Sequence, residues 1–182
     1  MREAERQTAP LRELGKALQV ASAQCANEMK RWITDDAEKI QRESLVYFEF
    51  VYFFMHITNR VAFRILGHER RTKLQEELGP AMVHAVVESL CGHWPGEMKE
   101  RIKHEFFEKM NDAEVEYSAC PLQSSDNPLG SNALFPLLAR HVADLAGSPD
   151  NPEVILDALY VARTALAATD LDRLVGEIKR LL

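Results

Sequence analysis

The 182-residue chain reads as all-α: a single bundle of seven or eight helices around a long central helix rich in aromatic residues. Three features carry that reading. Apolar residues return every three or four positions in most segments from residue 11 to residue 182. The stretch 35–66 holds neither glycine nor proline. No alternating apolar and polar run is bracketed by hairpin turns.

Residues 1–10, MREAERQTAP, mix charges of both signs and hold no apolar core, so they read as a disordered N-terminal tail and not as a secretory signal. A single helical domain then fills residues 11–182. Leu11, Leu14 and Leu18 open a helix that reaches Lys30 or Trp32. Thr34 suits an N-cap, with Asp35 and Asp36 placed where the helix dipole favours negative charge. The long helix follows to Leu66, and Gly67 stands where a terminating glycine belongs. Its centre, from Leu45 to Met55, would also suit a strand, but both flanks are strongly helical and no turn residue interrupts them. Phe50, Val51, Phe54 and Ile57 are the expected core.

Glu69 to Leu78 predicts a short polar helix, broken by Gly79-Pro80. A helix bearing Met82, Val83, Val86, Val87 and Leu90 comes next, then a turn at Trp94-Pro95-Gly96. Residues 97–117 place Met98, Ile102, Phe106 and Met110 on one helical face. PLQSSDNPLGSN, at 121–132, is a loop. Helices follow over 133–146, from Asn151-Pro152 onward, and from Thr169-Asp170 to the end. In the last, Leu171, Leu174, Val175, Ile178, Leu181 and Leu182 form an apolar stripe that either packs on the bundle or pairs with a second chain.

The net charge of −6 argues against a general grip on nucleic acid, which requires neutralising phosphates. The run from Leu45 to Ile57 is too short for a bilayer, which needs about 20 residues. Cys25, Cys91 and Cys120 are odd in number and widely spaced, which fits neither a disulfide framework nor a zinc ribbon. Three thiols in a reducing compartment place the protein in the cytoplasm.

No phosphate-binding glycine loop, nucleophile elbow, His-Glu-x-x-His or Cys-x-x-Cys occurs, so the commonest recognisable enzyme classes lack support and no cofactor is implied. The informative place is the polar set within the long apolar helix: Glu49, His56 and Arg60, with Arg42 near the same face. Charge inside an apolar surrounding must be paired. These residues therefore form either a structural seam, with Glu49 and Arg60 paired to neighbouring helices and His56 donating to a carbonyl, or a ligand or metal site. His84 with Glu88 and His104 with Glu108 share a four-residue helical spacing that could reach one metal, or could be ordinary surface pairs; His93 and Glu97 have the same spacing, but Pro95-Gly96 between them breaks the helix. Arg60, Arg64, Arg70, Arg71 and Lys73 form a basic run that suits either an acidic partner or a solvated helix end. The expected role is binding or assembly with protein partners, a symmetric homodimer among the options. The runner-up is a metal- or small-ligand-binding bundle.

Overall fold

The computed structural model describes residues 2–120 and 133–179. Of the described residues 86% are helical, and none lies in a strand. Among the described residues seven helices follow one another: α1 (Arg2–Met29), α2 (Lys39–Leu66), α3 (His68–Cys91), α4 (Gly96–Ser118), α5 (Leu134–Leu145), α6 (Pro152–Thr169) and α7 (Leu171–Ile178). A single 3-10 turn, Lys30–Trp32, closes α1. The segment 121–132, expected as a loop, lies outside the described residues, as do Leu181 and Leu182.

Local chemistry explains most helix ends. Gly67 ends α2 with φ 78, a conformation that glycine adopts freely, and its N–H bonds Phe63 O. Asn151 accepts from the Glu153 N–H and Pro152 opens the helix behind it. Asp170, at φ 44, ends α6 and caps α7 through the Arg173 N–H. Gly147 closes α5 at φ 83, where a Cβ would stand 2.7 Å from Thr34 Oγ1.

Three expected breaks are absent or displaced. Helix α1 begins at Arg2, so residues 2–10, expected as a disordered tail, are helical and Pro10 sits inside the helix. Arg, Glu, Ala and Gln there are good helix formers, and one lost hydrogen bond at Pro10 does not stop them. Helix α3 runs through Gly79-Pro80. Proline's clash with the preceding residue involves that residue's Cβ, which Gly79 lacks, and Leu78, Met82 and Val83 are buried on either side of the bend-prone pair. Thr34 does not cap α2, which starts at Lys39. Its N–H and hydroxyl both donate instead to Ala146 O, at 3.1 and 3.2 Å.

Helix α2 packs against α1, α3, α4, α5 and α7. It is buried without interruption from Glu49 to Asn59, so its apolar circumference meets protein on all sides. Phe50, Val51, Phe54 and Ile57 are fully buried. Phe53 joins three helices: its ring meets Phe54 at 5.7 Å, Tyr117 of α4 at 5.5 Å and Phe135 of α5 at 5.2 Å, each edge to face. On α4, Phe106 is buried, Ile102 and Met110 are half-buried, and Met98 is exposed. The α7 stripe of Leu171, Leu174, Val175 and Ile178 is buried, with α7 packed on α1 and α2, so this helix belongs to the bundle. Helix α6 lies against α1 and α5.

Candidate functional site

Glu49, His56 and Arg60 are seven and four residues apart, which aligns them along one side of α2. That side faces the last two turns of α4 and, near Glu49, the middle of α5. The structure brings the three into one polar seam with residues from both neighbours.

At its first end, the Tyr117 hydroxyl and His141 Nδ1 converge on Glu49 Oε1, the latter at 2.9 Å. The other ring nitrogen of His141 lies 3.1 Å from Glu116 Oε1. Carboxylates from α2 and α4 thus grip both sides of an imidazole from α5. At the other end, Arg60 Nε donates to His56 Nε2 at 2.6 Å. Arginine has no acceptor, so that ring nitrogen carries the lone pair and Nδ1 carries the hydrogen. His56 Nδ1 therefore donates to Glu114 Oε2 at 2.7 Å. Asn59 Nδ2 donates to the second oxygen of Glu114. Arg60 also donates to Tyr117 O at 2.9 Å and Cys120 O at 2.7 Å at the end of α4.

Burial sets the electrostatics. Glu49 is 9% exposed and His56 2%. The hydrogen bond to Glu49 raises the His141 pKa above the ordinary histidine value, against the opposing effect of burial and with help from the charges of Glu49 and Glu116. Burial, then Glu49, pushes Tyr117 well above the usual phenol range. Burial lowers Arg60. Two atoms of the seam are buried without a partner among the described residues: Asn59 Oδ1 and Arg60 Nη1.

A group bound more tightly as a cation in the fold stabilises at low pH. The His141 contribution is fully present below the unfolded histidine pKa, near 6.5, and is lost as pH rises through the higher folded value. The stability advantage of the parent over His141→Gln is therefore expected to shrink as the pH is raised from about 6.5 into the alkaline range. Urea unfolding of both proteins across that range measures it, and an advantage that grew with pH would contradict the assignment.

The other sequence-stated groups fall elsewhere. Arg42 leaves the seam for Glu38 at 3.0 Å and Asp36 at 3.6 Å. Glu88 is taken by Lys99 at 2.9 Å and not by His84. His93 accepts from Trp94 Nε1. His104 and Glu108 pair at 3.3 Å on an exposed face. Among the described residues no group of three His, Cys, Asp or Glu side chains is placed to hold a metal ion. The basic run is divided: Arg60 enters the seam, Arg64 pairs with Asp172 of α7, Arg71 lies 5.9 Å over the Phe63 ring, and Lys73 pairs with Glu69. Asn59, Glu114, Glu116, Tyr117 and His141 were not anticipated. The i, i+3 spacing of Glu114 and Tyr117 is a usable sign that both face one way on α4, and nothing local marks them as partners of α2.

No family model, curated protein or solved structure matches the chain. Function therefore rests on geometry. The ring nitrogens of His56 and His141 and both oxygens of Glu114 are occupied by other groups of the same chain. Such an arrangement fastens α4 and α5 onto α2.

Proposed function

We propose that the chain is a helical binding and assembly protein that pairs with a second copy of itself through the outer face of α6. The observation that carries this reading is the exposure of two large apolar side chains one turn apart on that face: Leu156 at 65% and Tyr160 at 66%. Helix α6 reads PEVILDALYVARTALAAT and is apolar over most of its circumference. A helix of that kind normally lies between other elements. This one packs against α1 and α5 and leaves its third side bare.

A second copy fits the pattern of that side. Glu153, Leu156, Tyr160 and Arg163 fall within about one third of the helical circumference. An antiparallel two-fold at the level of Ala158 sets Leu156 against the other Tyr160, and Glu153 against the other Arg163. Apolar groups meet at the centre and opposite charges at the rim, as a self-complementary interface requires. The stripe of α7, the other helix suited to such pairing, is already covered by the bundle.

The seam supports this reading indirectly. Its carboxylates and imidazoles hold helices together, and the grooves that line other faces leave out Glu49, His56 and Arg60. The acidic balance of the chain speaks against a general nucleic-acid partner. Among the described residues no helix is long and apolar enough to cross a membrane. Three free cysteines, two of them buried, support a cytoplasmic setting.

Sedimentation velocity at micromolar concentration tests the proposal. The parent chain is expected to sediment as a dimer, and Tyr160→Glu as a folded monomer, because the substitution lies on an exposed surface. A parent that remains monomeric, or a dimer that survives both Tyr160→Glu and Leu156→Glu, would remove α6 as the interface.

A further inference from the structure

A groove of about 240 Å³ runs between α2, α3 and α4, with Glu114 in its wall. Two carboxylates line it, Glu76 and Glu114, and no basic side chain does. Neither carboxylate forms an ion pair with lysine or arginine among the described residues. Glu114 is held by the Nδ1–H of His56 and the amide of Asn59. Its orientation is therefore fixed, and no lysine or arginine contacts it directly, the Arg60 charge reaching it across the His56 ring.

The remaining walls are soft. Tyr52 and Met55 come from α2, Phe107 and Met110 from α4. Aromatic faces attract cations electrostatically, and thioethers are polarisable and adapt to shape. Negative charge in a concave site with low-dielectric walls concentrates cations. A hard divalent ion is disfavoured, since it would demand six or more oxygen ligands from a site walled by rings and thioethers. The volume falls below the usual range of about 300–1,000 Å³ for drug-sized ligands, which limits the occupant to one small group.

We propose that this groove binds a small organic cation: an ammonium head, primary or quaternary, on a compact apolar body. Glu76 and Glu114 provide the charge and Tyr52, Phe107, Met55 and Met110 the apolar contact. Because Glu114 is already positioned by α2, binding requires little ordering of the site. The site is independent of the α6 face, so its failure leaves the assembly proposal standing, and the converse holds.

The test is a titration of the full chain with benzyltrimethylammonium chloride at constant ionic strength, following the methyl signals of Met55 and Met110 by NMR. Benzyl alcohol serves as the neutral comparison. Saturable shifts of both methyls are expected, with affinity about tenfold weaker for benzyl alcohol and for the Glu76→Gln variant. Glu114→Gln should weaken binding at least as much. Glu76 is exposed and takes no part in the seam, so its variant keeps the fold and decides the matter even where Glu114→Gln does not fold. Absence of a saturable shift, equal affinity for the alcohol, or unchanged affinity in Glu76→Gln would overturn the proposal.

Discussion

Phe53→Ala is expected to lower stability by about 4 kcal/mol. The side chain is fully buried, and its removal opens a cavity bounded by rings from three helices, Phe54 of α2, Tyr117 of α4 and Phe135 of α5. Those neighbours are themselves fixed: Tyr117 is tied by its hydroxyl to Glu49, and Phe135 lies beneath the Arg163 guanidinium at 5.2 Å. Little collapse into the space is available, which places the cost near the upper part of the range for losing an aromatic ring. Three edge-to-face contacts are lost with the burial, each contributing on the order of 1 kcal/mol in favourable cases. Phe53→Leu, which retains most of the apolar volume, should lose clearly less. Equilibrium urea unfolding of parent and both variants measures the difference, and an Ala variant within about 1 kcal/mol of the parent would mean that α4 and α5 do not meet over this ring.

Glu49→Leu is expected to cost about 3 kcal/mol. The substitution keeps volume and removes charge, so packing is not the principal loss. Two donors are stranded instead. The Tyr117 hydroxyl is fully buried and has no water to turn to. His141 loses the carboxylate that favours its charged form and keeps only the exposed Glu116. Leaving one member of a buried pair typically costs about 3–5 kcal/mol. The lower end applies here because the His141 side chain is 26% exposed and can take water on one side. A second substitution separates this from loss of shape. In Glu49→Leu with His141→Leu, part of the loss should be recovered, since both charged members are gone. A double variant whose cost equalled the sum of the single ones would show that the two side chains do not interact.

The sequence made much of this architecture legible because burial leaves a mark on composition. A run such as Leu45 to Ile57, apolar around the whole helix, can be stable only where other elements cover it, and in the structure it is buried from Glu49 to Asn59. The same logic singled out Glu49, His56 and Arg60, because a charge within such a run must be paired. It could not name the partners. Glu114, Tyr117 and His141 stand on helices whose arrival at α2 depends on long-range packing, and His56 meets a carboxylate where a carbonyl was expected. Arg60, expected to pair with a neighbouring helix, donates to His56 itself, which makes a chain from Arg60 through His56 to Glu114.

Helix ends were misread for a related reason. Pro10 and Pro80 are local breakers, but the helix continues through each, on the remaining hydrogen bonds and, at Pro80, on the buried Leu78 and Met82 beside it. Thr34 has the chemistry of a cap, and its groups are drawn to Ala146 O at the end of α5, a contact that no local pattern reveals. The exposed pair Leu156 and Tyr160 was hidden too. Periodicity shows that α6 is apolar, and only the packing shows which of its sides is left bare.

We propose that the polar seam of α2 holds the fold together and leaves function to the surface. Thermal melting of Glu49→Gln and His56→Gln tests it most directly. Each substitution keeps size and polarity: the first removes the charge facing His141, and the second cannot serve Arg60 and Glu114 with the geometry of the imidazole. Losses of about 1–2 kcal/mol are expected for each, which in a chain of this length lower the melting temperature by roughly 2–8 °C. Both variants should still assemble as the parent does. If both melted at or above the parent temperature, the seam would not be structural, and its polar groups would have to be read as a binding site kept at the expense of stability.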